Sequence, residues 1–408
     1  MKDREFDLVV FGATGFTGRL VAEYLHLSGA AGARWAIAGR NLDKLAQVRD
    51  ALHLPPSVAL LKADAGDAAA LKALVARTRA VIATVGPYQL HGEPLATACA
   101  EGGTDYVDLC GEPLWMARMI DKLTPLAHKS GARIVFSCGF DSIPFDLGVV
   151  YLQAEAQARF GAPLPEVRGR VAKVKGGVSG GTLASMMETI EAVRREPSLS
   201  KVMANPFALT PGFKGPRQPA DQGADFDDWA DAWTGPFLMA TINTKNVHRS
   251  NALRGHPWGQ GFVYSEKLLT GKPGQGDKGR RKAAALARFT TLQNLALGFG
   301  PTRALLRRFV LTQPGDGPSP AAREAGRYEL WFTGRSARGD TLRAVVRGDR
   351  DPGYGSTCKL ISEAALCLVQ DVGRDATPGG VWTPGSAMGL ALVRRLQARA
   401  GLSFEIAA

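Results

Sequence analysis

The sequence predicts an α/β protein, with a doubly wound parallel sheet in its first third and a second, mixed α+β domain after it. Three observations predict this. Short apolar runs alternate with helical runs six times up to residue 138, joined by loops of a few residues. Runs such as Val81-Ile82-Ala83-Thr84-Val85 lack polar alternation, as expected of strands buried on both faces. A glycine-rich turn, Gly12-Ala13-Thr14-Gly15-Phe16-Thr17-Gly18, sits directly between the first strand and the first helix.

The elements follow in order. Residues 6–11 form the first strand and 19–27 the first helix; strand 34–38 and helix 42–52 repeat the pair, with Asn41 placed to cap the helix. Strand 58–62 leads to helix 67–76, strand 80–85 to helix 90–101 and strand 104–109 to helix 115–130, and 133–138 is the sixth strand. The rhythm changes after residue 148. There, 167–174 reads as a strand and 181–195 as a helix, while 206–261, rich in Pro, Gly, Asp and Trp, reads as irregular. Residues 328–334 and 341–347 form a hairpin about Arg338-Gly339-Asp340, and 356–369 and 386–399 are helices. The expected division is a first domain at 1–148, an α+β domain for substrate or dimer contacts at 149–377, and a terminal segment at 378–408 packing back on the first domain.

The glycine turn carries the sharpest chemistry. Its place between strand and helix makes it a Rossmann phosphate cradle for a dinucleotide. Gly12 permits the tight turn, Gly15 lets the backbone approach a pyrophosphate, and Gly18 lets the helix pack on the strand. The N–H groups of Gly15, Phe16 and Thr17 then face phosphate oxygens, with Thr14 in the same loop. A site for NAD carries Asp or Glu after the second strand, to bond the ribose 2′-hydroxyl. Here that strand ends Ala38-Gly39-Arg40-Asn41, and Arg40 offers a planar donor fork to a 2′-phosphate, with Lys44 one turn on. The expected cofactor is therefore NADP(H). Asp64, after the third strand, either bonds the adenine amino group or caps the next helix. Gly86-Pro87-Tyr88 follows the fourth strand and should pass near the nicotinamide, because ligands of such sheets bind beyond the strand C-termini.

Composition narrows the class. The 408 residues suffice for two or three domains at ~100–200 residues each. Five cysteines, odd in number and without a CxxC pair, argue against a disulfide framework or zinc knuckle, and the six scattered histidines form no metal constellation. No apolar run approaches the ~18 residues of a spanning helix, and the apolar run near the N-terminus is too short for a signal segment. A cytoplasmic enzyme is expected, with peripheral membrane contact as an alternative and no nucleic-acid partner; a homodimer stays open.

Several stretches resemble one family: residues 10–18, Ala38-Gly39-Arg40, Val85-Gly86-Pro87-Tyr88, 105–112, Gly139-Phe140-Asp141-Ser142-Ile143-Pro144, Ser179-Gly180-Gly181-Thr182, Asp351-Pro352-Gly353-Tyr354-Gly355 and 379–384. Together they resemble the saccharopine dehydrogenase-like oxidoreductases, and within these the bacterial trans-acting enoyl reductase group. The resemblance implies NADP-dependent hydride transfer to a carbon–carbon double bond of a thioester-bound, polyketide- or lipid-like acyl chain. The alternatives are a saccharopine-type amino-acid dehydrogenase acting on a C–N bond, and a membrane-associated cofactor-binding protein without turnover. Basic residues lining the crevice would favour the former alternative; an apolar groove would favour the acyl substrate.

Hydride transfer also needs a proton, from a side chain or water. Candidates past the strand ends are Tyr88, His91, Asp108, Cys110, Glu112, Asp141 and Ser142, with Lys175 and Ser179 from the second domain. Tyr88 and Asp141 are selected as the catalytic pair; Cys110 and Cys138 are read as packing residues. A basic amphipathic segment at 267–310 includes Lys278, Arg280, Arg281, Lys282, Arg288, Arg303 and Arg307, interleaved with Leu286, Phe289, Leu292 and Leu295. It either packs as an ordinary helix or meets an anionic membrane or an acidic acyl-carrier protein.

Overall fold

A computed structural model of the chain describes residues 4–177, 179–272, 274–298 and 317–407. Elements are numbered along the chain. The strands β1 (Phe6–Phe11), β2 (Trp35–Gly39), β3 (Ala59–Lys62), β4 (Thr78–Ala83), β5 (Asp105–Asp108), β6 (Arg133–Val135) and β13 (Gly380–Trp382) form one sheet. Their order is β13-β6-β5-β4-β1-β2-β3 and every pairing is parallel. The helices between them are α1 (Phe16–Leu27), α2 (Leu42–Ala51), α3 (Ala68–Ala76), α4 (Tyr88–His91), α5 (Glu93–Gly102) and α6 (Pro113–Ser130).

Side-chain alternation decides which helix covers which face. Leu8 and Val10 of β1 point into a core shared with Leu20, Val21 and Leu25 of α1 and Leu45 and Val48 of α2. Val9 and Phe11 point the other way, into a core shared with Leu71 and Leu74 of α3, Leu95 of α5 and Met119 and Leu123 of α6. Over β4 and β5, the first face is covered by a late helix, Thr357–Gln370, which packs on α1, β4 and β5. Of the segment 378–408 expected to pack back on the first domain, β13 joins the sheet edge, while the helix that covers the sheet lies earlier, inside the expected 149–377 domain.

A long helix, α7 (Ile143–Phe160), leads away from the parallel sheet, and the expected boundary at 148 falls inside it. The remaining α-helices among the described residues are α8 (Gly180–Arg195), α9 (Ser200–Ala204), α10 (Ala240–Leu253), α11 (Gly276–Gly298), α12 (Pro320–Glu324), α13 (the Thr357–Gln370 helix), α14 (Pro384–Ala387) and α15 (Gly389–Arg399). A second sheet contains β7 (Glu166–Lys175), β8 (Asp225–Asp227), β9 (Ala232–Pro236), β10 (Val263–Leu269), β11 (Arg327–Arg335), β12 (Thr341–Gly348) and β14 (Leu402–Ile406). It is mixed: β7 and β10 are parallel and the other pairs antiparallel. α7 packs on β11 and β12, so one apolar core runs from the parallel sheet through α13 and α7 to Leu330 and Phe332 of the second sheet.

Two expectations need correction. Residues 206–261 are not irregular: they contain β8, β9 and the buried helix α10. The helix α7 also went unread. Its buried residues run almost continuously from Ile143 to Val150, so it has no polar stripe to set a period of 3.6. Of the basic segment, Arg303 and Arg307 lie outside the described residues.

A buried ion pair joins α13 to the sheet. Asp105 of β5 accepts from the backbone N–H of Arg133 at 3.0 Å and from its guanidinium at 2.5 Å. Arg133 spends its remaining donors on the carbonyls of Leu368 and Val372, at the C-terminal end of α13, while Arg374 also reaches Asp105 at 3.1 Å. The pair is nearly inaccessible to water, so removing one member strands the other charge. Asp105→Ala is expected to lower stability by about 3–5 kcal/mol, read as a fall in the urea midpoint; an unchanged midpoint would show that α13 docks without the pair.

Candidate active site

At the C-terminal edge of the parallel sheet lies a cavity of about 350 Å³. One side is formed by the ends of the parallel strands and α1: Thr17, Thr84, Gly86, Leu109, Ser137 and Asp141. The other is formed by the second half of the chain: Thr182, Ser185, Met186 and Ile190 of α8, Met203 of α9, residues 236–239 after β9, Ile242 of α10 and Thr290 of α11.

The glycine turn reaches this cavity through Thr17. Gly12 has φ +91°, a left-handed conformation that side chains other than glycine resist. A Cβ on Gly18 would stand 2.2 Å from the Gly12 carbonyl oxygen, so a side chain there would push α1 off β1. Gly15 is the N-cap of α1 and no side chain caps that helix, nor is there an acid in its first turn. The N–H groups that open α1 are therefore left for an outside acceptor, as a pyrophosphate requires. Phe16 turns its ring away from the loop, edge-on to Tyr354 at 4.8 Å. Arg40 is exposed just past the end of β2. Asn41 uses its side-chain oxygen to accept from Lys44 N–H at 2.9 Å, the cap that its position predicts. Asp64 accepts from Gly66 N–H at 2.8 Å, and it is Asp67 that caps α3, so the capping alternative for Asp64 fails. Gly86 and Pro87 join through a cis peptide bond at the end of β4.

The two selected acid–base residues differ in kind. The Tyr88 hydroxyl donates to the Ala83 carbonyl at 2.9 Å and accepts from Leu109 N–H at 3.0 Å. Both partners are backbone groups at the ends of β4 and β5, and burial holds its pKa well above the usual phenol value. The phenol is a strut between two strand ends, and the expectation of proton transfer by Tyr88 does not fit this geometry. Asp141 is different. Like Tyr88 it borders the cavity, but its one side-chain partner is the Thr182 hydroxyl at 3.4 Å, and desolvation pushes its pKa up to about 6. A carboxyl in this range can hold or release a proton near neutrality.

The other acids are occupied. Asp108 accepts from the N–H groups of Cys110 and Ser137, both at 3.0 Å, and from the Tyr106 hydroxyl; burial raises its pKa to about 7. Glu112 accepts from the N–H groups of Tyr88 and Gln89, both at 2.8 Å, and from the Ser185 hydroxyl at 2.6 Å. It thereby holds the start of α4 and the middle of α8 to one carboxylate. Cys110 and Cys138 are buried, with burial keeping both thiols protonated, as packing residues should be. His91 and Lys175 are exposed, and neither borders the cavity.

Sequence reasoning missed two groups. Tyr354 not only packs on Phe16 but also accepts from Gly180 N–H at 3.0 Å, tying α1 to the start of α8. Asp351 shapes that turn by accepting from Tyr354 and Gly355 N–H. The Asp-Pro-Gly-Tyr-Gly motif was the available signal. The second group is α10 beneath the cavity. Ser142 donates to Asn243 and accepts from Asn246, both at 3.0 Å; Asn243 continues to Glu266 at 2.9 Å, and Tyr264 donates to that carboxyl at 2.7 Å.

The fold and the glycine cradle define an NADP-dependent oxidoreductase with a Rossmann sheet and a second, mixed-sheet domain. Residues 8–135 match the saccharopine dehydrogenase NADP-binding domain. A Mycobacterium tuberculosis relative is 39% identical over 419 residues, covering 98% of this chain and 97% of its own. A trans-acting enoyl reductase of Mycobacterium bovis is 37% identical over 410 residues, covering 97% of this chain and 96% of its own. The yeast (Saccharomyces cerevisiae) saccharopine dehydrogenase that forms L-glutamate shares the fold, with a TM-score of 0.53 at 12% identity over 99% of this chain and 100% of its own. The chain belongs to the saccharopine dehydrogenase-like oxidoreductases, in the group of the trans-acting enoyl reductases. Among the described residues no helix is long and apolar enough to cross a membrane, and no cluster of metal-ligating side chains occurs.

Glu112→Ala is expected to cost about 1–3 kcal/mol, because the two N–H groups it serves would be left buried without an acceptor. Thermal unfolding reads the loss, and Glu112→Gln, which keeps one acceptor oxygen, should lose less. Equal loss in both variants would tie the effect to charge rather than to the acceptors.

Proposed function

We propose that the protein reduces a carbon–carbon double bond in an acyl thioester with NADPH. The observation that carries this reading is the cavity wall. Met186, Ile190, Met203, Phe237, Leu238 and Met239 line it, and no lysine, arginine or histidine among the described residues does. An amino-acid dehydrogenase of the saccharopine type must hold two or three carboxylates, which calls for cations at the crevice. An acyl chain calls for an apolar wall with a few polar groups to orient its reacting end. The names of the mycobacterial relatives, which specify enoyl reduction in trans, agree with such a substrate delivered as a small-molecule thioester or on a carrier.

In this reading, residues 1–148 hold the cofactor and 149–377 supply the substrate wall. Phe16, Thr17 and Gly18 offer the N–H groups that open α1 to the pyrophosphate. Gly12 and Gly15, together with Thr14, let the backbone approach it; their own N–H groups bond the Ala38 and Gly12 carbonyls, so that of Gly15 does not face phosphate as expected. Arg40, with Asn41 beside it, meets the 2′-phosphate, Asp64 the adenine edge, and Gly86 and Pro87 the nicotinamide ring. When bound, NADPH supplies a hydride for the carbon β to the thioester carbonyl. The α-carbon must then receive a proton, and Asp141 is the group bordering the cavity that can hold one. Tyr88 acts at one remove, keeping the ends of β4 and β5 in place. The apolar walls keep water from competing for the reacting carbons.

Incubation with NADPH and an enoyl thioester is expected to yield a product heavier by two hydrogens; turnover of an amino dicarboxylate instead would sink the reading. Asp141→Asn should lower kcat by about 10²–10⁴-fold. The wild-type rate should fall as pH rises through about 6, where the Asp141 carboxyl loses its proton, and the variant should lack that limb. Arg40→Ala should weaken NADPH binding about tenfold to a hundredfold, the worth of a charged hydrogen bond, and leave NADH binding nearly unchanged. Equal losses in a fluorescence titration would remove the 2′-phosphate contact.

A further inference from the structure

The helix α11 lies beside the cavity mouth. Its inner face is set by the buried Gly279 and Ala283, and by Leu286, which meets Gly235 of β9; Thr290 lines the cavity itself. The outer face carries Lys278, Arg281, Lys282, Arg288, Phe289 and Leu292, all exposed. Phe289 and Leu292 are one turn apart and are 62% and 65% exposed. Leu238, on the rim of the same cavity, is 41% exposed. Asp277 is the only acid on the helix, and none of the four outward cations has an ion-pair partner among the described residues.

We propose that this face docks on an anionic lipid surface, with the cavity mouth turned toward the bilayer. Phe289 and Leu292 enter the headgroup boundary, and Lys278, Arg281, Lys282 and Arg288 meet the lipid phosphates. An acidic protein would satisfy the local cations too. A charged plane, however, also engages the whole-molecule excess of +12, and it covers the apolar pair and the apolar rim together without needing a matched shape. The docking does not depend on the acyl-thioester reading. If both hold, the substrate is a lipid-like chain that reaches the cavity from the interface.

Sedimentation of the full chain with phosphatidylglycerol/phosphatidylcholine vesicles tests this, with phosphatidylcholine vesicles as control. Pelleting is expected only with the anionic vesicles, with release at high salt. Phe289→Ser/Leu292→Ser and Arg281→Glu/Lys282→Glu should each reduce partitioning by about tenfold or more, from loss of apolar insertion and from charge reversal respectively. Both variants should bind NADPH as the wild type does, which shows that they are folded and keeps this test separate from the reductase reading. Absence of pelleting, or pelleting that neither variant alters, overturns the proposal. So does an effect of the variants confined to binding of a purified acidic carrier protein, or to self-association measured by sedimentation velocity.

Discussion

At β1 the order in which the parallel strands are added reverses: β2 lies on one side of it and β4 on the other. The connections that leave β1 and β4 cover opposite faces, α1 on one and α5 on the other, so the loops at those two strand ends part and leave a crevice. The rest of the site depends on this gap. It lets α1 aim its uncapped N-terminus outward, and it sets the Gly86-Pro87 turn across from the glycine loop. The tolerance is narrow, since α1 sits so close to β1 that a single methyl at residue 18 would overlap the Gly12 carbonyl.

The second half of the chain closes the crevice by polar contacts rather than by apolar packing alone. Glu112 and Tyr354 act as two pins on α8, one at Ser185 and the other at Gly180. Below them, α10 brings asparagine, serine and arginine side chains into the interior, where they are hydrogen-bonded to strands, loops and the Ser142 turn, while His248 packs against the rings of Phe207 and Phe262. Such a network is costly to leave half-satisfied, so it fixes one relative placement of the halves. The cavity wall carries apolar side chains such as Met186, Ile190, Met203 and Leu238 beside hydroxyls such as Thr182 and Ser185 but no cation among the described residues, and Asp141 stands in it with a single weak side-chain partner. Burial raises the pKa of both Asp141 and Asp108, but Asp108 is surrounded by donors and serves the loops, whereas Asp141 keeps one side-chain partner.

The Rossmann half was legible because its signals are local. Alternating runs, cap residues such as Asn41, and a glycine turn between strand and helix each need only neighbours in the chain to take effect. The basic helix was legible for the same reason, as far as its described part goes. The segment 206–261 was not: its Pro, Gly and Asp content describes the loops around β8 and β9, while α10 has polar residues on every side and so shows no apolar stripe. A helix of that kind is stable only where distant partners, Glu266, Val381 and Gly259 among them, receive its side chains.

Tyr88 and Asp141 mark the same boundary within the site. The sequence by itself determined the sheet, the phosphate cradle, the arginine after the second strand and the short set of groups past the strand ends, because each follows from the order of residues along one βα unit. Only the tertiary structure decided which of those groups keeps its side chain uncommitted at the cavity. Tyr88, although it lines the cavity, is claimed by the backbone of β4 and β5, Asp108 and Glu112 by N–H groups from separate loops, and Asp141 borders the cavity with one side-chain partner. Hydrogen-bond donors and acceptors compete for partners across the whole molecule, and the outcome depends on distances that no local pattern encodes.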